Sequence, residues 1–410
     1  MLAAFGYQAL APLFQLFSAN NTLASIALRA LVLLSALLLI ALSIGRARRW
    51  SVYLPMFILM GALTLRLAEN YFIRDLDVYL SADRMFLFWV GGAVIPAVAL
   101  ALNAQVIDQR KFFLFVMSIC VLFVCAVALQ RNSLSLTETG RASFENLNPI
   151  SLGFISLTFA IMFAIRFLWA RNLLLRICYA GAFISMLALI ALAQSRGPVI
   201  AGVLAIITYA ILASRRHRFR FLGALIIFLA GLAASYLFTD IDFLGLITSR
   251  MSEVLANSGD ATTSSVAART IAWDATIQQI KERPMLGDVI FERALNFYPH
   301  QMFLEAMMSV GLVGTVFLVL HLLAVIRSTI TILSQRRLSE VDVFCVLACW
   351  SAIYAAQFSG SIYIASPFWP LSAALIARGC QIEDINRQWL RNRSSAIGAG
   401  QLSEQTVRRL

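Results

Sequence analysis

One histidine in this sequence has a position and a chemistry that suit proton transfer. His300 lies in YPHQMFLEAMMSVGLVG, residues 298–314, directly after a proline and at the start of a long apolar run. An imidazole with an unperturbed pKa of about 6.5 takes up and releases a proton at ordinary pH. His300, one of only three histidines in the chain, is therefore a candidate general base. The alternative is a histidine that only caps the following helix.

Two arginines are candidates for binding an anionic group. Ser195 and Arg196 separate two apolar runs in AQSRGPVIAG, residues 193–202. A serine cap, a guanidinium and free backbone amides at a helix start form an anion site. Arg269 lies in another segment, four residues before Trp273. For both arginines, a contact with a lipid headgroup or a simple ion pair is the alternative.

Several neighbouring residues are candidates for supporting these groups. Gln301 and Glu305 are four residues apart, a spacing at which two side chains can pair on one helix face. A carboxyl group inside an apolar run is costly, so Glu305 needs a polar neighbour. Gly311 is a small residue that allows close helix packing.

Residues 264–287, SSVAARTIAWDATIQQIKERPMLG, have the pattern of an amphipathic helix. Serine suits its start, and a proline followed by a glycine ends it. Trp273, Ile277 and Ile280 share one face. Arg269 lies one turn before Trp273 on that face, where an arginine needs a partner.

The elements that must position these residues are membrane helices. The 410-residue chain is 60% hydrophobic and 13% charged, with a mean hydropathy of +0.81, outside the range of soluble globular proteins. Eleven apolar runs are long enough to cross a hydrocarbon core of about 30 Å, and residues 2–18 are a candidate twelfth. The eleven lie near residues 22–45, 51–69, 85–104, 112–130, 150–170, 174–194, 198–213, 221–238, 301–326, 341–359 and 361–378. The sequence therefore predicts an all-α polytopic membrane protein of about 12 transmembrane helices.

The distribution of basic residues predicts the orientation. The net charge is +12, but the basic residues cluster in alternate short loops, which is typical of cytoplasmic loops and not of a nucleic-acid partner. The opposite side carries one long loop, where function is expected to concentrate. We divide the chain into an N-terminal transmembrane bundle at 1–238, a periplasmic loop with the amphipathic helix at 239–300, C-terminal transmembrane helices at 301–378 and a basic cytoplasmic tail at 379–410.

The sequence predicts no disulfide framework and no metal site. All six cysteines lie in or beside apolar runs. Asp240 and Asp242 flank one end of the long loop, and we interpret them as a solvated loop start.

The order of these motifs resembles that of the O-antigen ligase family, whose signature region is shared with O-antigen polymerases. The resemblance rests on the many-spanning chain, SRG at 195–197, the arginine-led helix ending in ERPMLG, and PHQMFLEAMMSVGLVG at 299–314. The family pattern of a histidine, ten residues and a glycine matches His300 to Gly311.

Two further positions follow the family pattern approximately. Arg269 matches the arginine of an arginine, three residues, leucine pattern, with Trp273 in the leucine place. Gln301 stands where the family has asparagine, which keeps the amide and lengthens the side chain.

The resemblance implies an enzyme that transfers a polysaccharide from undecaprenyl diphosphate to a sugar hydroxyl of the lipid A core. It implies a C-type glycosyltransferase architecture in the bacterial inner membrane, with a periplasmic active site and without a metal or other cofactor. His300 would be the base, and Arg269, Arg196 and Ser195 would hold the diphosphate. The expected partners are the lipid-linked polysaccharide, the lipid A core and membrane lipids.

Two other functions remain open from the sequence. An O-antigen or capsule polymerase would use the same donor and differ only in its acceptor. A secondary transporter would show ionisable groups near the bilayer midplane, and His321, deep in its apolar run, is the residue that would serve it.

Overall fold

The protein is almost entirely helical in the part of the chain that the structure describes. The structure is a computed structural model that describes residues 21–43, 50–74, 81–103, 109–129, 135–136, 142–143, 149–193, 195–213, 223, 226, 265–294, 296, 298–358, 360–364 and 367–398. Within these ranges there is one small hairpin, in which Ser135–Leu136 (β1) pairs antiparallel with Ala142–Ser143 (β2).

The described α-helices are labelled in chain order. They are α1 Asn21–Ala41, α2 Trp50–Ala68, α3 Ala82–Phe86, α4 Ile95–Asn103, α5 Gln109–Leu129, α6 Pro149–Trp169, α7 Leu173–Leu192, α8 Arg196–Leu212, α9 Ser265–Glu282, α10 Met302–Leu333, α11 Glu340–Phe358 and α12 Phe368–Gly398. Two π-helical stretches adjoin them: Glu69–Ile73 prolongs α2, and Leu87–Val94 joins α3 to α4.

The long apolar helices identify a membrane protein. Among the described residues, six helical stretches are long and apolar enough to cross a bilayer: Trp50–Ile73, Ala82–Leu102, Pro149–Trp169, Leu173–Leu192, Met302–Leu333 and Glu340–Phe358. Hydrocarbon offers no hydrogen-bond partners, so an apolar span satisfies its backbone internally as a helix. Large apolar side chains such as Leu34, Leu65 and Ile211 point outward, as expected for a lipid-facing surface. The prediction of a helical polytopic membrane protein is confirmed.

The last predicted span has different bounds in the structure. The sequence predicts a run at 361–378, whereas α12 begins at Phe368 and continues to Gly398. Residues 362–364 form a turn instead. Pro367 disfavours helix at the residue before it, and Glu305 holds the backbone of the turn at Ile362. The predicted runs at 2–18 and 221–238 lie outside the described residues, apart from single positions at 223 and 226.

The core of the bundle is aromatic and is tied together by a few polar contacts. The Trp89 ring lies edge-on to Tyr363 and Trp369, with centroids 5.3 and 5.8 Å away. Trp89 Nε1 donates to Thr64 Oγ1 at 2.7 Å. These contacts join the segment between α3 and α4 to α2 and α12.

His321 is part of the same helix packing. It is fully buried, its Nε2 lies 2.9 Å from Ser372 Oγ, and its ring stacks on Trp369. The residue that would serve a transporter is thus engaged in holding α10 against α12.

Candidate functional site

His300 lies two residues before the start of α10 and does not cap this helix. The cap is Gln301, whose side-chain Oε1 accepts from Leu304 N at 2.5 Å. The alternative role of His300 as the helix cap is therefore wrong. The backbone of His300 has φ +53°, a left-handed conformation that non-glycine residues adopt at a cost of about 1–3 kcal/mol. Such strained positions are concentrated at functional sites.

A cavity of about 180 Å³ opens beside His300. The Tyr298 ring lies edge-on to the imidazole, with ring centroids 4.4 Å apart, and both residues line the cavity. The remaining walls come from the start of α6, the end of α11, the turn before α12 and the start of α12. Its hydroxyl-bearing lining residues besides Tyr298 are Ser151, Thr158, Ser351 and Ser361. The cavity therefore offers hydroxyl groups and one imidazole within largely apolar walls.

Glu305 fixes a cavity wall. The sequence spacing suggested that Glu305 pairs with Gln301, but the structure shows no such pair. The Glu305 carboxylate accepts from Ser361 Oγ and, at 2.7 Å, from Ile362 N. Glu305 is completely buried, and an unpaired carboxyl there would be costly. Ser361 and His300 both line the cavity. Glu305 therefore fixes the part of the cavity wall that Ser361 forms.

The helix that carries Arg269 is attached to the backbone next to His300. Trp273 Nε1 donates to Pro299 O at 2.7 Å, and Pro299 is the residue before His300. Arg269 is half-buried and lies one turn earlier on α9. The structure thus brings together the arginine-led helix and the histidine segment, which the sequence treats as separate motifs.

The buried face of α9 is shifted by one residue toward the N-terminus from the predicted face of Trp273, Ile277 and Ile280. Ala272, Thr276 and Gln279 are buried, whereas Trp273 and Ile277 are each 39% exposed. Two small side chains, at 272 and 276, suit a close approach to the rest of the protein. Trp273 uses its ring edge for the bond to Pro299, which leaves much of its apolar surface facing outward.

The SRG junction at the start of α8 contacts α6, and the first residues of α6 line the same cavity. Ser195 occupies the N-cap position of α8 and is buried, but its side chain makes no capping hydrogen bond, contrary to the predicted cap. A Cβ on Gly153 would lie 2.6 Å from Pro198 Cγ, so these two helices touch at their first turns. The side chain of Arg196 lies outside the described part of the chain.

An ion-pair chain that the sequence motifs do not reveal connects α2 to the segment after α9. Arg66 pairs with Glu69 at 2.5 Å, Arg74 pairs with the same carboxylate at 2.6 Å, and Arg74 also pairs with Asp288 at 2.7 Å. Arg293 contacts Asp288 as well. The only sequence signal was the presence of Arg66 inside an apolar run, since ionisable residues there are expensive and usually functional.

Gly311 interrupts α10. Its φ of +65° and ψ of −166° are not helical. A Cβ at this position would lie 2.3 Å from the Met285 carbonyl group, so only glycine fits. The sequence interpretation included the close packing but not the break.

Metal ligands do not converge in the described part of the chain. No group of three His, Cys, Asp or Glu side chains is placed there to hold an ion. The polar side chains that line the cavity are the hydroxyl-bearing ones and the imidazole of His300.

Comparison with known proteins supports one family. Residues 181–288 match the family described as O-antigen ligase, which confirms the resemblance noted from the motifs. The matched region contains Ser195, Arg196, Arg269 and Trp273 and ends before His300. Searches of curated proteins and of solved structures gave no match.

Proposed function

We propose that this chain is a membrane glycosyltransferase, because its residues 181–288 match the O-antigen ligase family. It transfers a polysaccharide from undecaprenyl diphosphate to a sugar hydroxyl of the lipid A core, on the periplasmic face of the bacterial inner membrane. The observation that carries the proposal is the bond from Trp273 to Pro299, because it joins the arginine-bearing helix of the family region to His300 at the cavity.

The arginines act on the leaving group. The diphosphate gains negative charge as its bond to the sugar breaks, and cationic donors aimed at that charge lower the barrier. Arginine suits this role because it stays charged and donates to phosphate oxygens in pairs. Arg269 on α9 is the principal ligand in this proposal. Arg196 and Ser195 at the start of α8 assist it, and the contact between Gly153 and Pro198 supports their proximity to the cavity.

His300 acts on the acceptor. The imidazole takes the proton of the acceptor hydroxyl while the hydroxyl oxygen forms a bond to the anomeric carbon of the donor sugar. The bond from that carbon to the diphosphate oxygen breaks, and its electron pair leaves with the diphosphate. One displacement of this kind inverts the anomeric configuration. The hydroxyl-lined cavity next to His300 is the position we assign to the acceptor sugar.

Three residues support this arrangement without touching the reacting atoms. Gln301 caps α10, Glu305 holds the turn that carries Ser361, and Trp273 holds Pro299. Each bond fixes one of the segments around the imidazole. Gly311 lets residues 284–287 approach α10.

The membrane arrangement belongs to the same proposal. We propose about 12 transmembrane helices of C-type glycosyltransferase architecture, with the bundle at 1–238, the periplasmic loop at 239–300, the C-terminal helices at 301–378 and the cytoplasmic tail at 379–410. The helix α12 crosses the last boundary without interruption. The tail therefore begins as a continuation of the final transmembrane helix.

A polymerase remains the second candidate, because the family resemblance concerns the shared donor chemistry. Reconstituted protein is given a lipid-linked polysaccharide and either lipid A core or a second lipid-linked repeat unit as acceptor. The proposal expects product only with lipid A core. Product only with the lipid-linked repeat unit identifies a polymerase, and absence of transfer to both, with uptake of a labelled solute instead, identifies a transporter.

A further inference from the structure

The break in α10 is filled by the backbone of residues 284–288. Asp288 N donates to Met308 O at 2.8 Å, Leu312 N donates to Pro284 O at 2.8 Å, and Val313 N donates to Met285 O at 3.2 Å. In an uninterrupted helix, the amides of 312 and 313 would instead bond to the carbonyls of 308 and 309. The segment after α9 therefore takes the place of the missing helical turn.

Arg66 binds the end of the half-helix before this break and the segment inserted into it. Its Nε donates to Ser309 O at 2.8 Å, which is the carbonyl that Val313 N no longer reaches. Its Nη2 donates to Leu286 O at 2.8 Å, and its Nη1 pairs with Glu69 at 2.5 Å. The side chain is only 13% exposed. One guanidinium thus connects the end of a half-helix, the inserted segment and α2.

The half-helix that Arg66 holds is the one that follows His300. It runs from Met302 to the break at Gly311, with Gln301 as its cap and Glu305 on its buried side. A cation at the C-terminal end of a helix is favourable because the free carbonyls there carry partial negative charge. The chain that leads to His300 from the other side begins after Leu286 and Gly287, whose carbonyl groups also accept from Arg66. Arg66 therefore contacts the chain on both sides of His300 in sequence: at Leu286 before it and at Ser309 after it.

We propose that Arg66 is a positioning residue for His300, acting through the half-helix and the inserted segment. The inference rests on the proposed role of His300 as the base. All three guanidinium nitrogens of Arg66 have protein partners, and we therefore assign Arg66 a role in geometry and not in binding the diphosphate. Lysine cannot replace it, because a single ammonium group lacks the planar fork that reaches three directions.

The test compares Arg66→Lys with Arg327→Lys. Arg327 lies on the second half of the same helix and makes a forked contact with Glu383, so the control removes an arginine fork away from the break. Both variants are reconstituted in liposomes. The measurements are kcat and KM for the lipid-linked donor, together with hydrogen exchange of the backbone amides at 284–288 and 309–313.

The proposal expects Arg66→Lys to lower kcat by about 10- to 100-fold, since small misplacement of a catalytic group costs rates of this order. KM should change by less than about threefold because substrate contacts are intact. Exchange should become faster at 288, 312 and 313, while the second half of α10 keeps its protection. Arg327→Lys should match the unmodified protein in every measurement.

Three results would overturn the inference. The first is an unchanged kcat and KM. The second is a raised KM at unchanged kcat, which would show that Arg66 binds the lipid-linked donor. The third is faster exchange throughout α10, which would show a general loss of folding. If Arg66→Lys does not accumulate, Glu69→Gln weakens the hold on the same guanidinium. It should lower kcat by about threefold or more, because glutamine keeps an accepting oxygen but loses the charge that strengthens the bond, and a normal kcat would refute the role.

His300→Ala separates this inference from the proposed function. An inactive His300→Ala combined with a fully active Arg66→Lys contradicts only the positioning role. A fully active His300→Ala contradicts the role of the base, on which the positioning role depends.

Discussion

At the scale of single residues, the proton transfer that we propose depends on where the imidazole of His300 is held. We base the role of His300 on its left-handed backbone, its edge-to-face contact with the Tyr298 ring and the adjoining cavity. General base catalysis contributes about 10²- to 10⁴-fold to a rate. We predict that His300→Ala lowers transfer to lipid A core by this factor while membrane insertion stays normal.

The matched control is another histidine of the chain. His217 lies in the basic stretch RRHRFR, which the charge pattern assigns to the cytoplasmic side, and His217→Ala should transfer at the normal rate. Both variants are compared by the lipopolysaccharide profile of a complemented deletion strain and by transfer in liposomes. Normal capped lipopolysaccharide from His300→Ala would exclude a base role for this residue.

The role of Arg269 is tested by keeping its charge and removing its fork. Arg269→Lys preserves a cation on α9 but cannot donate in parallel to two phosphate oxygens. A lost charged hydrogen bond corresponds to about 1.5–3 kcal/mol, so kcat/KM for the lipid-linked donor should fall about 10- to 100-fold. Arg283→Lys, at a side chain that is 59% exposed, is the comparison and should have a much smaller effect. Equal activity of Arg269→Lys and the unmodified protein would indicate a lipid headgroup contact.

At the scale of the elements, the bond from Trp273 to Pro299 connects α9 to the histidine segment. Trp273→Phe keeps an aromatic ring and removes only the donor to the Pro299 carbonyl. The net loss of one such bond is about 0.5–1.5 kcal/mol, too little to unfold a packed bundle. We predict a kcat reduced by about tenfold with a nearly unchanged melting temperature.

The same substitution at the far end of α2 provides the control. Trp50 is half-exposed at the first residue of that helix, and Trp50→Phe should leave kcat unchanged. If Trp273→Phe also leaves kcat unchanged, the attachment of α9 does not govern the position of His300.

The elements themselves follow from the sequence to different degrees. Apolar runs such as 150–170 and 341–359 coincide closely with α6 and α11, because lipid leaves the backbone of an apolar span no alternative to a helix. The break at Gly311 could not be derived in this way. It depends on backbone bonds to residues 284–288 and on Arg66, which is separated from Leu286 by 220 residues.

The site shows the same division between local and distant causes. The residue types of His300 and Arg269 alone predict the roles that we propose for them, a base and a phosphate ligand. Local spacing suggested a pairing of Gln301 with Glu305, yet Gln301 caps its own helix and Glu305 reaches a turn 56 residues away. Such partners are selected by tertiary packing, about which the spacing of two residues on one helix contains no information.

At the scale of the whole molecule, the two ends of the bundle carry different polar groups. The cavity, His300 and the Arg66 contacts lie at one end, where α6 and α12 begin and α11 ends. At the opposite end, Arg166 at the end of α6 pairs with Glu340 at the start of α11, and Arg378 pairs with Asp342. In the orientation that we propose from the charge pattern of the sequence, the cavity end faces the periplasm, and the pairs of Arg166 and Arg378 lie near the cytoplasmic side.

The most direct measurement is a structure of the protein in a bilayer mimetic with a non-transferable undecaprenyl diphosphate sugar. We predict that the diphosphate lies within hydrogen-bond distance of Arg269, and that the anomeric carbon faces the cavity next to His300. A diphosphate bound at the opposite end of the bundle, beside Arg166 and Arg378, or bound at the cavity end out of reach of Arg269, would contradict the proposed active site.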